Sequence, residues 1–153
     1  MGEFYTLGNQ VYEKPNFINV SPAYTFIADK SVIPYFDFTP LATATTTLQI
    51  IGTINIISPV KINAFLIFAD SNAIANGVKV CIEVRNGNMT FYIPSSSSPS
   101  NPKTIGTITN FNTSGQDMFY ANSNCVINLW AVATTTGSNL QLIVSGKLND
   151  GGV

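Results

Sequence analysis

The 153-residue sequence predicts an all-β fold, a two-sheet antiparallel sandwich. Three observations predict it. Val, Ile, Thr, Phe and Tyr dominate and alternate with polar residues at period two, the spacing that places side chains on one face of a strand. Gly, Pro, Asn and Ser interrupt these runs at short intervals. No stretch carries a sustained helical period, and residues 71–76 are the only ones suited to a helical turn.

In chain order, residues 1–22 read as an extended N-terminal segment interrupted by Pro15 and Pro22, ahead of a sandwich domain over residues 23–153. Strands are expected at residues 24–28 and 32–38. In the next run Leu48, Ile50, Ile54 and Ile56 share a face, with Thr47, Gln49, Thr53 and Asn55 opposite. Gly52 marks a bulge or a close backbone approach there. Ser58-Pro59 ends the run, and a second strand, paired with the first, follows at residues 60–69. Val60, Ile62, Ala64, Leu66 and Phe68 are expected on its inner face, which puts Phe65 and Ile67 on the outer one. An ordinary sandwich strand shows one polar face, so an apolar outer face implies cover from the same chain or from another subunit.

Residues 78–93 predict a hairpin. Asn86-Gly87 readily takes the two positive φ angles of a type I′ loop. That loop would set Val84 opposite Met89, Ile82 opposite Phe91 and Val80 opposite Ile93, with Arg85 against Asn88, Glu83 against Thr90 and Cys81 against Tyr92. Residues 94–102 are Ser- and Pro-rich and are expected to form a mobile loop. Further strands are expected at residues 104–109, 117–120, 125–133 and 140–147, the last with Leu140, Leu142 and Val144 on one face. Residues 134–139 form a polar turn between the last two. About nine or ten strands make a jelly roll the leading topology. An immunoglobulin-like sandwich is the runner-up, although Trp130 follows both cysteines and the Cys…Trp…Cys order is absent.

Composition narrows function by exclusion. Charged residues make up 10% of the chain and the net charge is −1, against about 25% charged in an average soluble protein. Such a surface repels its neighbours weakly and suits a subunit that packs against others. Residues 1–12 have no basic or apolar leader character. The longest apolar run, residues 64–69, is far short of the ~20 that span a bilayer, so no membrane insertion is expected. The chain has no histidine, which removes the commonest general base, the usual nucleophile partner and the commonest metal ligand. No catalytic residue, cofactor or metal is therefore expected. Asp70-Ser71-Asn72 with Asn76-Gly77 has a faint calcium-loop character, but Ile74 stands where an oxygen ligand belongs, and the segment reads as a turn. The carboxylates Glu3, Glu13, Asp29, Asp37, Asp70, Glu83, Asp117 and Asp150 show no spacing that selects a hydrolytic pair and read as solvated. Cys81 and Cys125 read as buried thiols, with a single internal disulfide as the alternative. The aromatic residues read as core or subunit contacts, with stacking on sugar rings as the alternative.

The short alternating strands, the few charges and the many Asn, Thr and Ile resemble, over the whole length, small single-jelly-roll structural proteins of virions, though no specific motif carries the likeness. The chain lacks the basic arm of coat proteins that line a genome. The resemblance implies a non-enzymatic assembly subunit of the outer, decoration, turret or spike type, or a surface-appendage subunit, in a virion or extracellular surface assembly. Its partners would be copies of itself or other structural proteins of that assembly. A glycan-binding module is the alternative, and a histidine-free hydrolase stands third. From the residues themselves, the expected assembly contacts are Phe4, Tyr5, Tyr12 and Phe17 of the N-terminal segment, with Phe65 and Ile67 of the strand at residues 60–69.

The basic residues Lys14, Lys30, Lys61, Lys79, Arg85, Lys103 and Lys147 are scattered along the chain, and phosphate binding needs several cations on one face. Generic DNA and RNA are therefore expected to show no salt-sensitive binding in a filter or anisotropy titration at physiological salt. Sub-micromolar affinity would overturn this exclusion.

Overall fold

A computed structural model describes residues 33–105, 110–112 and 118–148. Its strands are β1 (Pro34–Phe38), β2 (Ala42–Ala44), β3 (Gln49–Ile56), β4 (Val60–Ala69), β5 (Lys79–Asn86), β6 (Met89–Ile93), β7 (Lys103–Thr104), β8 (Asn110–Asn112), β9 (Phe119–Ala121), β10 (Cys125–Val132) and β11 (Ser138–Leu148). They form two antiparallel sheets, with no α-helix among the described residues. The first sheet runs β1-β11-β4-β8, and the second β3-β10-β5-β6. Three edge positions are each filled by two short strands end to end: β1 and β2 along β11, β8 and β9 along β4, β6 and β7 along β5. The strand expected at residues 24–28, and the expected domain start at residue 23, lie outside the described residues.

The core lies between the sheets. Leu140, Leu142 and Val144 of β11, the clean apolar face expected there, are all fully buried. Ile127, Leu129 and Ala131 of β10 and Val80, Ile82 and Val84 of β5 meet them from the second sheet. Aromatic rings bridge the layers: Phe119 stacks on Phe65 at 6.2 Å and meets the edge of Phe91 of the second sheet at 5.0 Å.

The two runs before the hairpin do not pair with each other. β3 pairs with β10 and β4 with β11, so the break at Ser58-Pro59 is a crossing from one sheet to the other. Each strand also carries a bulge. In β4 the register steps from Ala64 opposite Ser145 to Ile62 opposite Gly146, which leaves Asn63 as the extra residue. One extra residue reverses the parity of everything beyond it. Phe65 and Ile67 are therefore core residues, 0% and 2% exposed, while Leu66 and Phe68 point outward. This overturns the expected faces. Both parities of residues 64–69 are apolar, so the strand itself did not decide. β11 did, because Leu142 and Val144 on its single apolar face stand opposite Ile67 and Phe65. Gly146 permits the step, since a Cβ there would run into the Lys61 carbonyl.

β3 repeats the device. Leu129 faces Gly52 and Trp130 faces Ile50, with Ile51 extra. Gly52 thus marks both of the features expected of it, the bulge and a close approach, here by the buried Thr39 side chain. Ile50 moves to the exposed outer face instead of joining Ile54 and Ile56. Thr39 also ties β1 to the sheet beyond its last ladder pair: its N–H donates to the Leu142 carbonyl, and its Oγ1 accepts from the Leu142 N–H.

The hairpin forms with a two-residue loop, shifted by one position at the turn. Gly87 and Asn88 are the loop, Asn86 faces Met89, Val84 faces Phe91 and Ile82 faces Ile93. A positive φ of 65° at Gly87, and none at Asn88, fits a type II′ turn rather than type I′. The expected pairing of Val84 with Met89 and Ile82 with Phe91 is thus wrong by two residues. Both registers match apolar to apolar on the core face, so alternation could not separate them. The deciding contacts are long-range. Asn86 donates from Nδ2 to the Tyr120 carbonyl and accepts the Asn122 N–H, which fixes it as a strand residue beside β9.

Residues 94–102 pack against the second sheet through Ser97. Ser97 is 4% exposed and its hydroxyl lies against the Pro94 carbonyl and the Cys81 sulfur. Residues 70–77 form turns, as expected. Asp70 accepts the Asn72 and Asn139 N–H groups, and Asn76 holds Ser138 and the 134–135 backbone, which closes that end of the sandwich.

The bulge in β4 makes an asymmetric prediction. Phe65→Ala is expected to cost about 3–5 kcal/mol in urea unfolding, as for a buried aromatic. Phe68→Ala should stay within about 0.5 kcal/mol when both are measured as dilute monomers. Equal losses would contradict the bulge.

Candidate functional site

Two outer faces remain once the core is assigned, and they differ in chemistry. On the outer face of the second sheet the ladders bring polar residues into rows across strands, because directly opposed side chains share a face. One row is Thr53, Asn128, Glu83 and Tyr92 across β3, β10, β5 and β6. The row beside it is Asn55, Val126, Arg85 and Thr90. On the other side lie Ile50, Trp130 and Cys81, with Ser97 standing over Cys81.

Glu83 is the centre of this arrangement. It is 5% exposed, and its Oε1 accepts from Asn128 Nδ2 at 3.0 Å and from Trp130 Nε1 at 3.2 Å. Arg85 Nε lies 3.5 Å from the same oxygen, while the Arg85 side chain is 59% exposed. Asn128 Oδ1 in turn accepts from the Thr53 hydroxyl at 2.8 Å. Burial pushes the Glu83 pKa up, but the bonds from Asn128 and Trp130 and the Arg85 charge outweigh it, and the pKa lies below the ordinary 4.5. A buried carboxylate persists in its charged form only when paired and hydrogen-bonded.

The outer face of the first sheet is apolar. Phe38, Ile143 and Leu66 form one row across β1, β11 and β4. Phe36 with Ser145 and Ala64 flanks it on one side, and Phe68 with Gln141 on the other. Phe36 is 63% exposed and Phe38 and Phe68 are each 53% exposed, with the Phe36 and Phe38 rings 5.9 Å apart. No charged side chain enters these three rows. Lys61 and Lys147 stand directly opposite each other in the next row.

Comparisons with protein-family models, with curated proteins and with solved structures find no match to this chain.

The expected site residues fall in different places. Phe4, Tyr5, Tyr12 and Phe17 lie outside the described residues. Phe65 and Ile67 are in the core, and the outward position reasoned for them belongs to Leu66 and Phe68. Among the described carboxylates, Glu83 is buried rather than solvated, while Asp37 and Asp70 belong to the first sheet's strand β1 and to the turn after β4, so neither shares its face. Among the described residues no three His, Cys, Asp or Glu side chains gather as a metal site. Cys81 and Cys125 are both free and buried; burial raises both thiols, Cys125 to about 11. Tyr35 is raised to about 12 by burial and by Asp37, to which its hydroxyl donates. Reading the sequence alone missed the Glu83 cluster. Its signal was the pair Asn128 and Trp130 two apart on one strand, which meets Glu83 only once the β10–β5 register is known.

Glu83 also sets a pH dependence. Its folded pKa is depressed, so its contribution is fully present above the unfolded value of 4.5 and is lost as pH falls through the folded value. Glu83→Gln is expected to lower stability at neutral pH by about 1.5–3 kcal/mol, the range for hydrogen bonds to a charged group. It should also flatten the acid limb of urea midpoint against pH. An unchanged acid limb would remove Glu83 from this role.

Proposed function

We propose that this chain is a non-enzymatic structural subunit of virion or extracellular-surface type, that its fold is a jelly roll, and that it assembles with copies of itself through the apolar outer face of the first sheet. The exposed stripe of Phe36, Phe38, Leu66 and Phe68 carries the proposal. Contiguous exposed apolar surface on a folded domain marks an interaction site. Full burial of a Phe or Leu side chain contributes about 1.5–3 kcal/mol. Covering this stripe therefore offsets a good part of the about 4–15 kcal/mol that association costs in lost freedom. A second copy suits the stripe because its rows carry no charged side chain and a net charge of −1 gives little repulsion between copies.

The pairing scheme supports the jelly-roll reading. Counting each end-to-end pair as one column gives four columns per sheet among the described residues. In chain order the first column (β1 with β2) pairs with the last (β11), and β3 pairs with β10. β4 pairs with β8 and β9, and β5 with β6 and β7. That is the pairing of one long antiparallel hairpin folded over into two sheets of four strands, as in a jelly roll. The absence of histidine from the chain supports a role without catalysis.

Analytical ultracentrifugation of the full-length chain tests this. A defined oligomer is expected, shifted toward monomer by Phe36→Ser combined with Phe68→Ser, with unfolding midpoints unchanged at dilutions where both proteins are monomeric. Removal of residues 1–20, which carry Phe4, Tyr5, Tyr12 and Phe17, should weaken assembly and leave the sandwich folded. A full-length chain that stays monomeric at high concentration refutes the proposal.

A further inference from the structure

We propose that the outer face of the second sheet binds a neutral saccharide, at a site centred on Trp130, Glu83, Arg85 and Tyr92. This stands on a different face from the assembly stripe and does not depend on it. Saccharides are recognised by two features together: an apolar ring face that packs on an aromatic side chain, and hydroxyls that need fixed planar donors and acceptors. Both are present in adjoining rows. Trp130 is half-buried with its Nε1–H held by Glu83, so the indole cannot swing and its polar edge is already satisfied. Beside it the exposed ends are polar. Arg85 uses Nε toward Glu83, which leaves its terminal nitrogens as donors at the surface. The Tyr92 side chain stands in the Glu83 row, and Thr90 and Asn55 lie exposed in the Arg85 row. Strands lie about 4.8 Å apart, so neighbouring donors and acceptors are spaced like the hydroxyls of one pyranose and the next.

Charge favours a neutral ligand. Glu83 and Arg85 cancel at the centre of the face, and Lys79 stands beyond the Trp130–Cys81 row, on the side away from Arg85 and Tyr92, so the centre itself suits an uncharged ligand. The Thr53–Asn128–Glu83–Trp130 bonds hold the face in one arrangement before a ligand arrives, and such preorganisation lowers the entropic cost of binding. Residues 94–102, seated over Cys81 next to Trp130, raise a wall along one side of the platform.

Trp130 is the only tryptophan in the chain, so its emission reports this site without background. The test titrates the full-length protein with lactose, triacetylchitotriose and maltotriose, with sialyllactose as the acidic comparison, and screens the same protein on an array of neutral glycans. A saturable change of Trp130 emission with a neutral sugar is expected. Arg85→Ala should weaken it about tenfold or more, and Tyr92→Phe about fivefold. Tyr92 makes none of the bonds to Glu83, so Tyr92→Phe should keep its unfolding midpoint, and cooperative unfolding verifies the fold of Arg85→Ala, which loses the charge beside Glu83. Phe68→Ser should leave the response intact, so loss of assembly and loss of sugar binding are separable. Three outcomes overturn the proposal: no neutral glycan binds in titration or on the array, only sialylated or sulfated glycans bind, or the response is the same in Arg85→Ala and Tyr92→Phe.

Discussion

Parity is the constraint on which the rest of this sandwich depends. A strand offers its side chains alternately to two faces, and a sheet commits each strand to one choice. β11 makes that choice without ambiguity, with Leu140, Leu142 and Val144 inward and Gln141, Ile143 and Ser145 outward. β4 must follow it, and can do so on both sides of Asn63 only by inserting that residue as a bulge. Phe65 then reaches Phe119, and through it Phe91 of the opposite sheet, so the contact between the layers follows from one extra residue. The same insertion turns Leu66 and Phe68 outward beside Phe38 and creates the apolar stripe. Core and exposed apolar stripe are thus two results of a single register step.

The second sheet resolves a different conflict. β5 is buried on both faces through most of its length, from Val80 to Val84. Its core side takes Val80, Ile82 and Val84, and its outer side must shelter Cys81 and Glu83. Cys81 is covered by Ser97 of the 94–102 segment. Glu83 needs more, because an isolated buried carboxylate costs several kcal/mol. Asn128 and Trp130 supply two donors from the next strand, and Arg85 supplies charge from its own. Removing one member leaves its partners unsatisfied, so the cluster resists piecemeal change.

Much of the fold was legible in the residues. The strands near residues 34–38, 49–56, 60–69, 79–93, 125–132 and 138–148 follow from β-branched alternation and from the Gly, Pro and Asn breaks between them. The short strands β2 and β8 escaped, since three residues such as Ala42–Ala44 carry no period to read. Face assignment failed where both parities are apolar, as in residues 64–69, and register failed where two pairings are equally apolar, as at Val84. In both places the deciding contact is distant in sequence: β11 for the first, Tyr120 and Asn122 for the second. Glu83 was read as solvated for the same reason, because the residues that bury it lie more than forty positions away on β10.

The end-to-end strands at the sheet margins have a consequence for how this molecule meets others. An intact edge strand offers a row of unpaired backbone groups, and through it sheets can grow from molecule to molecule. Here the margins formed by β1 with β2, by β8 with β9 and by β6 with β7 are each broken into pieces of five residues or fewer. Among the described residues only β3 presents an edge of eight residues, and it carries the bulge at Ile51. A margin so interrupted cannot template a continuous ladder. Fibre-like growth through the backbone is thereby disfavoured, and contact between molecules is left to side chains, which can discriminate one neighbour from another.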